Sequence, residues 1–494
     1  MTTIVWFRQD LRLGDHPALH AAAQRSTDES PIIPVYIHPV YAHSNQIADS
    51  ETLIHEGAAT RWWRHHSLRS LAEQLASCGS RLIIRRGEPL ATLLELIHET
   101  KASRVVWNRR MEPAARAEDT RIKAALRAEG IDVSSFNGNY LHEPWTILNK
   151  QGKPFKVFTP YWKAVVAAGL NLPTHPAPDT LPAVPHALNS LAIDELGLLP
   201  TIAWDKDFYN QWQPGEPGAW SRFEDFIPLI DEYAEARNHL IGIGVSKLSA
   251  HLHFGEITPR QILRYLLDKR GSVLEPRGIE HFVRELGWRE FGAYLAYHYP
   301  QTVDAPLDMR FLNFKWRDAP EDLRAWQRGQ TGIPIVDAAM RCLWHTGWMH
   351  NRARMIVASF LTKNLLIDWR CGAAWFMDTL VDADEPSNTA GWQWTAGTGA
   401  DAAPYFRIFN PVLQAEKFDP DGAFIRRWVP ELANLENKYL FAPWTATETA
   451  LAQANVVLGK TYPKPIVDLK GSRQRALAHF DQIKQNTTAE AEQE

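Results

Sequence analysis

The chain has 494 residues, too many for one hydrophobic core, so two or more domains are expected. Apolar residues at 45% and charged residues at 22% are ordinary for a globular protein, and a net charge of −4 excludes a global electrostatic case for nucleic acid. Three scattered cysteines, Cys78, Cys342 and Cys371, without Cys-x-x-Cys spacing, exclude a disulfide framework and a zinc or iron–sulfur centre, and no metal site is expected. The opening "MTTIVWFRQD" has no signal-type apolar core and no run approaches membrane-spanning length, so a cytoplasmic protein with no membrane association is expected. The outlier is tryptophan, with 20 copies, which suits stacking surfaces or redox work as well as filling of a large helical core.

Short β-branched runs open the chain: "TIVWF", "IIPVYI", "RLIIR", "RVVW" and "IDVSSF". Helical stretches separate them, with Cys78-Gly79 and Glu129-Gly130 reading as C-caps, so residues 1–135 are expected to form a doubly wound parallel α/β domain. No G-x-G-x-x-G follows the first strand, which argues against a conventional dinucleotide site there. A Pro-rich connector, "NLPTHPAPDTLPAVPH", lies within 136–203. From 204 to 480 helical periodicity takes over and predicts an all-helical domain, and 481–494 reads as a frayed polar tail.

Chemistry-bearing residues concentrate in the helical part. In "IGIGVSKLSAHLHF", Ser246, Lys247 and Ser249 at a helix start make either a phosphate cradle or an ordinary cap. "RELGWRE" sets Glu285, Trp288 and Arg289 on one helical face, as a wall for a flat heterocycle or as a solvated Glu285–Arg289 pair. "GWMHNRARM" puts Asn351, Arg352 and Met355 on one face and turns Arg354 aside, toward an ion pair with Asp382. From Arg341 to Cys371 five cations (Arg341, Arg352, Arg354, Lys363, Arg370) face one acid, Asp368, which fits a local phosphate-binding face or a solvated helix. Asp384 and Asn388 then precede "GWQWTAG", where Trp392 and Trp394 flank Gln393 in what reads as a glycine-rich turn. Together these clusters suggest a large, flat, phosphate-bearing cofactor in a helical cage.

"VWFRQDLRLGDHPAL", "TGIPIVDAAMR", "TGWMHNRARM", "DADEPSNTAGWQW" and "DAAPYFRIFNP" resemble the photolyase/cryptochrome family, and most of all the bacterial class I cyclobutane pyrimidine dimer photolyases, from about residue 2 to 475. The resemblance implies FAD in the helical domain, an antenna chromophore in the α/β domain, and light-driven electron transfer that splits pyrimidine dimers in UV-damaged DNA. It implies that Tyr233, Ser246, Lys247, Leu248, Ser249 and Arg289 hold the cofactor with Asn351, Arg354, Asp382, Asp384 and Asn388, the last facing the flavin where an amide favours the reduced form. Arg237, Glu285, Trp288, Arg289, Asn351, Arg352, Met355 and Trp394 would meet DNA or the dimer. Trp392, Trp369 and Trp316 would form an electron-hopping chain, with Trp394 on the dimer instead. Asn108 and Glu112 would lie at an antenna bound as methenyltetrahydrofolate or 8-hydroxy-5-deazaflavin. A monomer is implied.

Val245, Thr389 and Ala390 depart from the family's commoner residues, and "YPQTVDAPLDMRF" lacks a folate-contacting lysine. Three other functions compete. A blue-light sensor of cryptochrome type shares fold and cofactor, but often replaces the amide at Asn388. A (6–4) photolyase needs histidines at the dimer, where the helix offers Asn351 and Met355. A flavin oxidoreductase needs a nicotinamide site, for which no glycine fingerprint exists.

Overall fold

The computed structural model describes residues 2–27, 30–40, 56–402 and 407–491, with side chains up to 483. The chain divides into two compact units, Met1–Asp231 with Ser246–Pro300 and Glu232–Val245 with Gln301–Glu494.

In the first unit five parallel strands, β1 (Thr3–Phe7), β2 (Ile32–Pro39), β3 (Ile83–Gly87), β4 (Arg104–Asn108) and β5 (Asp132–Phe136), lie in the order β3-β2-β1-β4-β5. The expected doubly wound α/β domain is present. Every residue of β1 and β4 is buried, as expected of strands covered on both faces, which is why they read as unbroken apolar runs. Helices α1 (Pro17–Ala23), α2 (Ala58–Ser77), α3 (Pro89–Thr100) and α4 (Pro113–Ala128) connect them. Leu93, Leu96, Ile122 and Leu126 from α3 and α4 close a core with Ile4, Trp6, Val105 and Trp107. Gly79 and Gly130, at φ +85° and +77°, end α2 and α4 in the left-handed region that glycine enters without strain.

The Pro-rich connector is more than a spacer. Ser190 Oγ accepts the Ile84 N–H at 2.9 Å and the Leu191 N–H donates to Ile84 O at 3.0 Å, so this segment covers the β3 edge of the sheet. A helix, Phe158–Ala168, also lies inside the stretch expected to be connector. Composition changes near residue 204, yet the chain up to Asp231 and from Ser246 to Pro300 belongs to the first unit, and only Glu232–Val245 between them joins the second. The reason is close apposition: a Cβ at Gly287 of the Arg277–His298 helix would sit 2.5 Å from Trp162, and Trp288 stacks on Phe158 with ring centroids 3.7 Å apart.

The second unit is helical, built around Trp326, Met340, Val357, Phe360, Trp369, Phe376 and Trp392. Its last helix, Leu469–Ala491, runs into the segment expected to fray, and 492–494 lie outside the described residues. Among the described residues no helix is long and apolar enough to cross a membrane, and no cluster of His, Cys, Asp and Glu could hold a metal.

Candidate functional site

Within the second unit the Asn351–Ser359 helix starts on His350, whose Nδ1 accepts the Arg352 N–H at 3.1 Å. Burial, followed by the charges of Arg352 and Arg354, pushes this imidazole down to about 4, so it is neutral at pH 7. Arg352 and Arg354 are two residues apart, hence about 200° apart around the helix. Arg352 Nε and Nη2 both donate to Asn238 Oδ1, at 3.0 and 2.7 Å. Arg354 Nη2 donates to both oxygens of buried Asp382, at 3.0 and 2.7 Å, and its Nε to Met349 O at 2.7 Å. The ion pair expected between Arg354 and Asp382 is present.

Asp384 caps the Glu385–Ala396 helix by accepting the Ser387 N–H at 2.9 Å. Asn388 Nδ2 donates to Ala373 O at 3.0 Å, and its Oδ1 accepts nothing among the described residues. The segment read as a glycine-rich turn is thus a helix, begun by Asp384 and Pro386 and ended at Gly397, φ +83°. Helical geometry separates its two indoles. Trp392 points into the core at 2% exposure, while Trp394 is half-buried on the other side.

Trp392, Trp369 and Trp316 belong to one packed cluster, with Trp316 only partly buried. Trp392 meets Phe376 edge-on at 5.1 Å and Trp326 at 6.1 Å. Gly372 makes room for it, since a Cβ there would lie 2.1 Å from the indole. The Nε1 of Trp392 is buried and has no hydrogen-bond partner among the described residues.

Arg352 and Met355 line a cavity of about 790 Å³ together with His239, Arg407, Lys417 and Phe418. Phe418 lies 5.1 Å under the Arg352 guanidinium. Of the other expected DNA contacts in this unit, Asn351 is exposed, Arg237 sits 5.4 Å from the ring of Tyr233, and neither lines the cavity, nor does Trp394. His239, Arg407 and Lys417 escaped the sequence reading. Arg407 was at least inside a quoted motif, "DAAPYFRIFNP", whose residues 403–406 lie outside the described residues.

Lys363, counted among the surface cations, is instead buried at 1% exposure, its Nζ donating to Thr395 O at 2.8 Å and Arg407 O at 3.2 Å. Burial pushes it down to about 7. Between that value and the ordinary 10.5 the unfolded chain binds a proton the folded chain does not, so stability rises with pH across that window. Chemical unfolding from pH 7 to 10 is expected to show the parent gaining stability relative to Lys363→Met, by several kcal/mol at most. A pH-independent difference would rule this out.

In the first unit, Ser246–Ser249 leads into a short helix, Ser249–His253, with Lys247 at φ +52° and the Leu248 side chain buried, so Leu248 can offer a ligand only its backbone. Glu285, Trp288 and Arg289 do share the Arg277–His298 helix. Arg289 sends Nη1 to Asn139 O at 2.9 Å and Nη2 to Leu252 O at 3.1 Å, so it braces the fold rather than lying on a solvated face. Trp288 is 36% exposed. Asn108 is buried, accepting the Ala18 N–H at 3.3 Å and donating to Asp10 at 2.8 Å, while Glu112 lies buried 3.5 Å from Arg110.

Comparison with known proteins agrees with this architecture. Residues 3–183 match the DNA photolyase family model and residues 282–482 the FAD binding domain of DNA photolyase. The chain is 46% identical to the deoxyribodipyrimidine photo-lyase of Agrobacterium fabrum over 98% of both chains. It belongs to the photolyase/cryptochrome family. It is also 38% identical to Cryptochrome-2 of Arabidopsis thaliana, over 96% of this chain and 77% of that one. A crystal structure of a bacterial class III photolyase from Agrobacterium tumefaciens superposes with a TM-score of 0.92 at 46% identity, covering 98% of each chain. The family relationship carries an FAD-binding helical domain and a role in DNA repair, and the likeness to a class III photolyase shows that the motifs shared with class I enzymes do not single out that class.

The residues present fit a flavin. Arg354 and Asp382 offer a fixed charge pair, Asn388 Oδ1 an open acceptor, and Trp392 Nε1 a buried polar atom still lacking a partner.

Proposed function

We propose that this protein repairs UV-damaged DNA by light-driven splitting of cyclobutane pyrimidine dimers, with FAD held by Arg354, Asp382, Asp384 and Asn388. The observation that carries it is the division of labour on one helix: Arg354 is locked to Asp382 while Arg352, about 200° away, lines a cavity of about 790 Å³ with Arg407 and Lys417 against one acid, Glu235. When bound and reduced, FAD supplies the excited-state electron for ring opening. The protein's part is to hold Asn388 and the ion pair in place, and to give the damaged bases a basic, aromatic-floored recess. His239 lines that recess, so an oligonucleotide bearing a (6–4) photoproduct, expected not to be repaired, is the proper comparison.

DNA titrations test the recess and, separately, Trp288, which does not line it. Arg352→Ala is expected to weaken damaged and undamaged duplex alike and to lower the salt slope by roughly 1, as loss of a phosphate contact does. Trp288→Ala is expected to cost about 1–3 kcal/mol on dimer-containing DNA and little on intact duplex, because an indole reaches only a base that has left the stack. Equal losses on both DNAs for Trp288→Ala would return that residue to a packing role against Phe158. Electron supply is tested separately. Trp316→Phe is expected to slow photoreduction of the oxidised flavin severely and to leave repair by chemically reduced enzyme nearly intact; loss of repair in the pre-reduced variant would contradict the hopping chain.

A further inference from the structure

The β5 edge of the first unit carries a second recess that the repair site does not use. Among the described residues β5 pairs with β4 alone, and beside it lies a cleft of about 530 Å³. Five cations line it, Arg25, Arg104, Arg109, Lys123 and Arg127, with Ser135 and Phe136, and among the described residues no Asp or Glu does. Two of the cations are paired just outside the lining, Arg104 with Asp132 at 3.2 Å and Arg109 with Glu143. The others make no ion pair among the described residues: Lys123 Nζ donates to Ser135 Oγ at 2.7 Å, Arg127 Nη2 to Val133 O at 3.2 Å, and Arg25 is exposed. Asp119, the nearest acid along α4, is already committed to Arg8 and to the Trp107 Nε1–H at 2.9 Å.

We propose that this cleft is a binding site for a small polyphosphate ligand, a nucleoside di- or triphosphate. Three cations without carboxylate partners in one concavity call for more than one negative charge, and guanidinium groups match phosphate oxygens in pairs. The volume falls in the range of small-molecule sites. Phe136 offers a ring face, while Ser134, Ser135 and Gln24 offer hydrogen-bonding groups for a sugar and base. The crowding of charge is visible in Lys123, which burial and then Arg109 and Arg127 push below its ordinary range. An anion between them relieves that repulsion.

Calorimetric titration of the flavin-loaded protein with ATP, ADP, AMP and citrate tests the site. One saturable site is expected for ATP and ADP, with AMP weaker and citrate weaker still. Arg127→Glu, on an exposed side chain, is expected to weaken ATP by about tenfold or more, and Lys123→Met to do so without reversing a charge. Arg352→Ala, in the other unit, is expected to leave ATP binding unchanged. Three results would overturn the proposal: no saturable binding of ATP or ADP, citrate binding as tightly as ADP, or ATP affinity untouched by both cleft variants. A short oligonucleotide held more tightly than ADP and released by Arg127→Glu would assign the cleft to nucleic acid and overturn it equally.

Discussion

Asp382→Ala is expected to purify with little bound flavin and with its unfolding free energy lowered by about 2–4 kcal/mol. The carboxylate is nearly inaccessible and takes two hydrogen bonds from Arg354, whose guanidinium is only about a quarter exposed, at 26%. Removing it strands a cation among buried groups, with Met349 O as the remaining acceptor. That partial exposure is why the lower part of the range for a broken buried pair applies. Asp382→Asn keeps the shape and one acceptor, so a smaller loss is expected. The flavin-to-protein absorbance ratio and a denaturant titration on the same samples read both quantities. Full flavin occupancy in Asp382→Ala would remove the pair from the cofactor site.

Asp337→Ala is expected to be more damaging to the fold, by about 3–5 kcal/mol, without altering the flavin chemistry of whatever folds. Asp337 is fully buried and accepts four hydrogen bonds: the Thr331 N–H at 2.7 Å, the Thr331 hydroxyl at 2.6 Å, the Gly332 N–H at 3.0 Å and the Tyr462 hydroxyl at 2.7 Å. Burial raises this carboxyl, opposed by those donors. Deleting the side chain orphans all four. Tyr462→Phe removes one donor and is expected to cost about 1 kcal/mol. Thermal unfolding of the two variants orders them; equal, small losses would show that solvent reaches the site.

What could be read from residues alone followed physical lines. The strands were legible because burial on both faces leaves continuous β-branched runs, and the Arg354–Asp382 pair because two charges flanking apolar helices need each other. The helix at Glu385–Ala396 was harder: Gly391 and Thr389 are poor helix formers, although Asp384 and Pro386 already spelled a helix start. Arg289 misled for a different reason. Glu285 four residues before it suggested a surface pair, whereas its partners, the carbonyls of Asn139 and Leu252, lie far away in sequence. Lys363 belongs to the same class, its carbonyl partners at Thr395 and Arg407 being set by tertiary packing. His239 and Lys417 carried no local signal, because the cavity they line is assembled from segments about 180 residues apart.

Repair of a thymine-dimer oligonucleotide by the purified, reduced protein is the most direct measurement. Under blue light the dimer is expected to revert to two thymines with multiple turnovers, with no repair in the dark and none of a matched (6–4) oligonucleotide. An illuminated, fully reduced flavoprotein that binds the damaged strand yet returns no intact thymine would contradict the account and leave light sensing as the function of this fold.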